Sequence, residues 1–224
     1  MSISGVSESM QNYLKVVWGL QEWSDDPVTA SVIARRTGVR LSTVSDAIRK
    51  LTEQGMVEHA PYGKISLTEL GRAHAVAVVR RHRLIEAFLV DALKYRWDEV
   101  HDEAEVLEHA VSDLMVERMD EFLGHPRRDP HGDPIPAPDG SVEHPDAVRL
   151  TGVRPGTRAR VERISDLDPA RLQYFADHGV VVDAHLEILE SGPYAEAVVL
   201  RVAGREATLT LGAATTDAVW VSRA

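Results

Sequence analysis

Residues 29–67 read TASVIARRTGVRLSTVSDAIRKLTEQGMVEHAPYGKISL and decide the N-terminal part of the fold. Thr29 is placed to cap a short helix that ends at Gly38, and Ser42 is placed to cap a second helix. Two short helices joined by a tight turn form a helix-turn-helix. Two short β-type runs follow around the Pro-Tyr-Gly turn at 61–63 and indicate a hairpin, or wing. The stretch therefore predicts a winged helix-turn-helix.

Charge around the second of these helices favours DNA binding. The whole chain has 25 Lys+Arg against 35 Asp+Glu, a formal net charge of -10 at pH 7. Residues 35–50 nevertheless contain five basic residues and one acid. Such a basic patch lies where a recognition helix would meet a major groove. The side chains expected to hold phosphates are Thr43, Ser45, Arg49, Lys50 and Lys64, and those expected at base edges are Arg40 and Ser42.

The flanking segments predict further domains. Apolar residues recur at helical spacing over 7–23, before the helix-turn-helix. Residues 70–124 contain almost no Gly or Pro and predict two or three longer helices. Residues 124–155 are rich in Pro and Gly, which predicts a linker or surface loop. Residues 148–224 alternate β-type runs with turns around one helix at 169–178, which predicts a small barrel.

Composition excludes several classes of protein and site. The sequence contains no Cys, so disulfide scaffolds and thiolate metal sites are excluded, and any metal must bind oxygen and imidazole. No apolar run is long enough to span a bilayer, and the first residues lack a signal-peptide pattern. We therefore expect a cytoplasmic protein.

The stretch WDEVHDEAEVLEHAVSDLM at 97–115 carries the strongest chemical signal. Four of its side chains share one arc of about 100° on a helix, beside the apolar stripe. These side chains are His101, Glu105, Glu108 and His109. The preceding helix adds His82 and Glu86, four residues apart and so on one face. Facing helices with inward carboxylates and imidazoles can build a metal site.

A plainer interpretation exists for each of these residues. An acidic helix with scattered His is usually a solvated face, and a His-Glu pair is often a surface hydrogen bond. The histidines outside these helices are expected to be structural: His59, His125, His131, His144, His178 and His185. Trp18, Trp23 and Trp97 are expected to pack in a core or an interface.

Several motifs together resemble a known family. They are the winged helix, RRHRLIEAFL at 80–89, VHDEAEVLEHAVSD at 100–113 and HGDPIP at 131–136. Over essentially the whole chain they are similar to the diphtheria toxin repressor family of metal-dependent regulators. The resemblance implies a mainly α fold with β. Its implied domains are a winged helix-turn-helix DNA-binding domain (1–73), a helical metal-binding and dimerisation domain ending in the Pro-rich linker (74–144), and an SH3-like β-barrel (145–224).

The same resemblance implies two metal sites. Its primary-site positions are occupied here by Asn12, Glu105, Glu108 and His109. Its ancillary-site positions are occupied by His82, Glu86 and His101, with Asp168 as the match in the barrel. Glu105 stands where the iron-responsive branch has Cys, so the chain resembles the manganese-responsive branch, whose oxygen ligands suit Mn²⁺. Asn12 replaces an expected Asp, which predicts weaker binding, and Lys15 stands where some members place a Glu ligand.

The predicted function is a Mn²⁺-dependent repressor that controls manganese homeostasis, not an enzyme. Its expected partners are a palindromic double-stranded DNA operator and a second copy of the chain, with no membrane and no small-molecule substrate. Metal held by the first helix and the central helices would lock the spacing of the recognition helices. Three alternatives stay open: an iron- or zinc-responsive repressor of the same fold, a metal-independent winged-helix protein, and a metallohydrolase. Fe²⁺, Co²⁺ and Zn²⁺ are further metals expected to bind in vitro.

Overall fold

A computed structural model describes residues 5–60, 63–192 and 196–223. Its helices are α1 (Glu8–Glu22), α2 (Ala30–Thr37), α3 (Leu41–Glu53), α4 (Glu69–Asp91), α5 (Val100–Ala110), α6 (Asp113–Phe122), α7 (Pro169–Asp177) and α8 (Ala213–Thr216). Its strands are β1 (Val57–His59), β2 (Ile65–Leu67), β3 (Val148–Arg149), β4 (Arg158–Ile164), β5 (His185–Leu189), β6 (Ala197–Val202), β7 (Thr208–Gly212) and β8 (Val219–Arg223). None of these helices combines the length and the apolar character that a membrane crossing requires.

The described residues form two compact units. The first contains the residues up to His82 together with 108–113 and 136–141, and the second contains the rest. Helices α4 and α5 therefore contribute residues to both units. The expected fold class, with helices first and a small antiparallel sheet last, is confirmed.

The first unit has an apolar core shared by α1, α2, α3 and β2. Its fully buried side chains include Leu14, Val17, Ile33, Val44, Leu51 and Ile65. The Thr29 hydroxyl accepts a hydrogen bond from the Val32 N–H at 3.3 Å, and Gly38 ends α2 in the left-handed region at φ 67°. Both ends of α2 are therefore confirmed as predicted.

The start of α3 differs from the prediction. Arg40 has an extended backbone and occupies the N-cap position, and its carbonyl accepts from the Val44 N–H at 3.1 Å. Ser42 lies in the first turn and is not the cap. Ser is a favoured N-cap residue. Here the chain turns at Gly38, whose backbone is left-handed, and the helix begins at Leu41, one residue before Ser42.

The predicted wing is confirmed as an antiparallel hairpin. Val57 pairs with Leu67, and His59 pairs with Ile65. The Ile65 N–H also donates to the Val28 carbonyl at 2.8 Å, which joins the hairpin to the segment before α2. Residues 61 and 62 of the predicted turn lie outside the described residues.

The second unit contains a six-stranded antiparallel sheet with the order β3-β8-β4-β5-β6-β7. This sheet confirms the predicted SH3-like architecture, to which the structure adds β3 and β8. Its core includes Leu172 and Phe175 of α7, the helix predicted at 169–178. Trp97 packs against the same core, as expected.

The Pro-rich segment is more ordered than a linker. Residues 131–136 are buried, so the expectation of a surface loop does not hold for them. The Arg83 guanidinium donates to the Pro134 carbonyl at 2.6 Å. The Asp129 carboxylate accepts from the backbone N–H groups of His131 and Asp133 at 2.8 and 3.0 Å. Because side chains satisfy its backbone groups, the segment can be buried without forming a helix or a strand.

Gly132 is required within this segment, and its replacement tests the packing. Its φ is +92°, and a Cβ there would lie 2.0 Å from the Glu162 carbonyl oxygen. We expect Gly132→Ala to lower the free energy of unfolding by about 3 kcal/mol, from backbone strain plus a backbone clash. Urea denaturation followed by circular dichroism measures this change.

Gly204→Ala is the matched control for that substitution. Gly204 has a φ of +79°, but a Cβ added there would meet no atom within 4 Å. Only strain applies there, so we expect a loss of about 1 kcal/mol. Equal losses in the two variants would contradict the close approach at Gly132.

Candidate metal centres

The first cluster is centred on Glu108, which lies near the end of α5. The Glu108 side chain is 0% exposed, and its two carboxylate oxygens accept from Lys15 Nζ at 2.6 and 2.8 Å. His82 Nδ1 lies 2.6 Å from Glu108 Oε2. Lys15 comes from α1 and His82 from α4, so three helices supply this buried group of charges.

The charge state of Glu108 follows from these neighbours. Burial raises the pKa of Glu108, but the hydrogen bond from His82 and the charges of His82 and Lys15 hold that pKa below its usual range. Glu108 is therefore ionised at neutral pH and is chemically able to bind a cation.

Two further primary-site residues meet Glu108. His109 Nε2 lies 2.7 Å from Asn12 Oδ1 and 3.4 Å from Glu108 Oε1. His109 Nδ1 lies 3.1 Å from Gln11 Oε1. The structure thus brings an amide oxygen, a carboxylate oxygen and an imidazole nitrogen together. This donor set fits a divalent cation that prefers oxygen and imidazole ligands.

Glu105 lies on α5 one turn before Glu108 and His109. Its Oε1 is 3.7 Å from His101 Nε2. His82, another predicted ligand, lies with its Nδ1 2.6 Å from Glu108 Oε2. The roles of Glu105 and His82 as ligands stay predictions.

The second cluster lies in the second unit and joins α4, α5 and the segment after β4. His101 Nδ1 lies 3.0 Å from Asp166 Oδ2 and 3.4 Å from Glu86 Oε1. Glu86 is buried, and donor atoms of all three residues lie within 4.8 Å of one another. This arrangement has the ligand types and the spacing of a cation site.

His131 and Asp129 extend the second cluster. His131 is buried, and its Nε2 lies 2.7 Å from the Trp97 carbonyl, to which it donates. Its Nδ1 lies 3.8 Å from Glu86 Oε2 and has no hydrogen-bond partner among the described residues. A histidine that binds metal commonly donates its other ring N–H to a backbone carbonyl. Glu86, Asp129 and His131 therefore also fit a cation site.

The protonation states of this cluster depend on its three carboxylates. Burial lowers the pKa of both His101 and His131. Hydrogen bonds and charges from Asp166 and Glu86 raise the pKa of His101 to about 10, and the close approach of Glu86 together with the charges of Glu86 and Asp129 raises the pKa of His131 to about 10. Burial raises the pKa of Asp129, and the charges of Asp133 and Glu86 raise it further. Both histidines therefore carry a proton at pH 7.

The sequence reasoning missed three residues of the second cluster. Asp129 and Asp166 lie outside the helices, and His131 was expected to be structural. Asp168 was the residue expected to ligate, but its carboxylate accepts from the Arg171 N–H at 3.2 Å as the N-cap of α7. His131 belongs to the HGDPIP motif. Because it lies in a loop, helical spacing could not predict which side chains it would contact.

The predicted DNA-contacting side chains lie at the surface of the first unit. Arg40, Ser42, Thr43, Ser45, Arg49, Lys50 and Lys64 are all exposed. Arg49 forms surface ion pairs with Glu53 at 2.7 Å and with Asp46 at 3.9 Å. Exposed pairs of this kind contribute only about 0–1 kcal/mol, so Arg49 can exchange them for a phosphate.

Comparison with protein families gives a consistent result along the chain. Residues 5–65 match the iron dependent repressor N-terminal DNA binding domain, and residues 68–137 match the iron dependent repressor metal binding and dimerisation domain. Residues 148–223 match the FeoA domain.

Individual relatives and solved structures agree with these matches. The chain is 32% identical over 206 residues to the iron-dependent repressor IdeR of Mycobacterium leprae, covering 86% of this chain and 88% of that protein. It is 31% identical to the diphtheria toxin repressor of Corynebacterium glutamicum, covering 81% and 84%. A manganese-dependent transcriptional repressor in complex with manganese is 51% identical, with a TM-score of 0.91 and coverage of 96% and 100%. The manganese regulator SloR is 32% identical, with a TM-score of 0.81 and coverage of 96% and 98%.

Metal binding at the second cluster should release protons. His101 and His131 have pKa values of about 10, so each must lose a proton at pH 7 before its nitrogen can bind a cation. We expect about two protons released per ion, and an affinity that rises with pH up to about 10. Calorimetric titration with Mn²⁺ in buffers of different ionisation enthalpy measures the proton count.

Two variants assign the released protons. His131→Gln should lower the count by about one, because it removes one of the two acids. His185→Gln, at an exposed histidine of the same unit, should leave the count unchanged. Metal binding without proton release in the unmodified chain would contradict the assignment.

Proposed function

Because the chain belongs to the iron-dependent repressor family, whose members are metal-dependent transcriptional repressors and not enzymes, we propose that Mn²⁺ is its co-repressor. The observation that carries this proposal is the meeting of Asn12 Oδ1, Glu108 Oε1 and His109 Nε2. Oxygen and imidazole donors without thiolate suit Mn²⁺. The similarity to structures described as manganese-dependent repressors supports the same metal.

The second cluster is the proposed site of another divalent ion. Its ligands are drawn from Glu86, His101, Asp129, His131 and Asp166. Three carboxyl groups meet in this cluster, and His131 Nδ1 lies 3.8 Å from Glu86 Oε2. When bound, a divalent ion supplies positive charge that these carboxylates share.

The proposed mechanism follows from the positions of the primary ligands. Asn12 belongs to α1, whereas Glu108 and His109 belong to the end of α5. A metal ion held by ligands from both would fix α1 against that end of α5. Because α1 packs in one core with α2 and α3, fixing α1 also fixes the recognition helix α3. In a two-fold dimer the paired recognition helices must fit successive major-groove faces, so this restraint favours operator binding.

Exposed apolar side chains of the helical domain, which we place on one face, support assembly with a second copy. Val106 on α5 is 70% exposed and Phe122 on α6 is 69% exposed, and Leu93, Leu114 and Met115 are exposed as well. Soluble monomers rarely expose large contiguous apolar patches, and such patches mark interaction surfaces. The matched dimerisation domain covers these residues. We assign this face to an isologous homodimer interface, which would present two recognition helices to a palindromic operator.

The DNA contacts complete the proposal. Arg40 and Ser42 contact base edges, while Thr43, Ser45, Arg49, Lys50 and wing residue Lys64 contact phosphates. The proposed output is repression of genes for manganese uptake.

Metal-dependent DNA binding tests the function. Chelated protein should bind a manganese-transporter promoter fragment weakly, and Mn²⁺ should tighten binding at concentrations where Fe²⁺ does not, at fixed salt. Preferential tightening by Fe²⁺ or Zn²⁺ would instead identify an iron- or zinc-responsive repressor. Equal binding with and without metal would identify a metal-independent winged-helix protein.

A ligand variant makes the same assay specific to the first cluster. Glu108→Gln should raise the Mn²⁺ concentration needed for DNA binding by at least about tenfold, because it removes a charged ligand. Glu143→Gln is the control, since Glu143 is exposed and lies 3.6 Å from Arg127 in a surface ion pair. If both variants behave alike, Glu108 is not a ligand.

Sedimentation tests the dimer. Phe122→Asp should convert the dimer to a monomer at micromolar concentration, because it places a charge in an apolar interface. Val148→Asp, at an exposed apolar residue of β3, should leave the dimer intact. A Phe122→Asp protein that sediments as a dimer would exclude this face as the interface.

A further inference from the structure

Lys15 is the unusual residue of the first cluster. The sequence contains four lysines, and the other three, Lys50, Lys64 and Lys94, are exposed. The Lys15 side chain is only 13% exposed, and its Nζ lies 2.6 and 2.8 Å from the two carboxylate oxygens of Glu108. Burial of an ammonium is costly unless it is paired, so this contact is a defined feature of the folded chain.

The ammonium covers the side of Glu108 that a metal ion would need. Lys15 Nζ contacts both oxygens, and it also lies 3.5 Å from His82 Nδ1. A divalent cation binds a carboxylate oxygen at about 2.0–2.2 Å. A cation bound on the side of these oxygens that the ammonium occupies would lie in contact with it, and two positive charges at that separation repel strongly in a buried place. On that side, Lys15 and a metal ion exclude each other.

The local charge also favours the ammonium when metal is absent. Glu108 contributes one negative charge and Lys15 one positive charge, while Asn12 and Gln11 contribute neutral amides. The ion pair leaves no net negative charge among these four side chains to attract a divalent ion. The Lys15 contact also joins α1 to Glu108, the same two parts that shared metal ligation would join.

We propose that Lys15 is a tethered cation that occupies the primary metal position in the metal-free protein and competes with the metal for Glu108. Its displacement from Glu108 accompanies metal binding, so Lys15 sets the metal concentration at which the site fills. This inference rests on the proposed function, because it requires Glu108 to be a metal ligand.

Lysine-selective NMR on the unmodified chain tests the displacement directly. With four lysines, the ¹⁵N-labelled ammonium groups give few signals, and the buried, hydrogen-bonded Lys15 group should exchange slowly with water. Zn²⁺ is diamagnetic and suits the same donors. Saturation with Zn²⁺ should shift the Lys15 signal and speed its exchange. A Lys15 signal that stays unchanged at saturation would overturn the proposal.

Calorimetric titration with Mn²⁺ measures the competition. Lys15→Met should tighten binding at the first cluster by about tenfold or more, because the competing charge is removed. Lys94→Met, which removes an exposed lysine, should leave the affinity unchanged. Equal or weaker binding by Lys15→Met would refute the competition. If the buried charge of Glu108 prevents Lys15→Met from folding, the NMR experiment on the unmodified chain decides.

A third variant separates this inference from the proposed function. Glu108→Gln should remove the class of binding that belongs to the first cluster. If Glu108→Gln weakens Mn²⁺ binding while Lys15→Met does not strengthen it, the Lys15 inference alone fails. If Glu108→Gln leaves Mn²⁺ binding unchanged, the proposed primary site fails and the inference fails with it.

Discussion

A buried carboxylate needs a compensating charge, and this requirement organises both candidate metal centres. Glu108 is enclosed completely and is held by Lys15 and His82. Glu86 is buried in the second unit, where His101 and His131 face it. In each case the partners come from separate helices or loops, so the carboxylate determines which segments must meet. The need to compensate a buried charge therefore helps to position both the end of α5 and the Pro-rich loop.

The requirement extends from the ligands to the loop that carries them. Asp133 lies 2.7 Å from Arg163 Nε and 3.3 Å from Arg83 Nη2, and both arginines are buried. Arg83 also donates to the Pro134 carbonyl. These bonds fix a segment whose composition would otherwise leave it at the surface. The segment in turn holds Asp129 and His131 beside Glu86. The ion pairs of Asp133 with Arg83 and Arg163 therefore position two residues of the second cluster, although none of these three is a proposed ligand.

Features of the helices could be predicted from the sequence, because side chains recur along a helix at a fixed spacing. Contacts made by loop residues could not, because loops have no such spacing. The cap at Thr29 and the turn at Gly38 follow from the residue types preferred at helix ends. Helical spacing placed the ligand candidates of α5 on one side of that helix, and their role as ligands stays a prediction. Asp129 and Asp166 lie on segments without a period, so their meeting with Glu86 depends on tertiary contacts that no local pattern encodes. Lys15 could be located on its helix, but its ion pair depends on how α1 and the end of α5 pack. The burial of the Pro-rich segment could not be predicted either. Its composition indicates which backbone conformations the segment favours, but it does not indicate that arginines elsewhere in the chain hydrogen-bond to the segment.

The seating of Gly132 against β4 has a consequence for how such a chain can vary. The Ile164 N–H donates to the His131 carbonyl at 2.9 Å, and Asp166 lies two residues after Ile164, the last residue of β4. A main-chain hydrogen bond therefore fixes the position of His131 relative to the end of β4, and so relative to Asp166, which lies in the same cluster as Glu86. Surface loops usually tolerate insertions, but one added residue between 129 and 133, or after Ile164, would move one of these side chains away from the other. The length of the loop and the end of the strand must therefore match, so the sheet contributes to the geometry of the candidate metal centre.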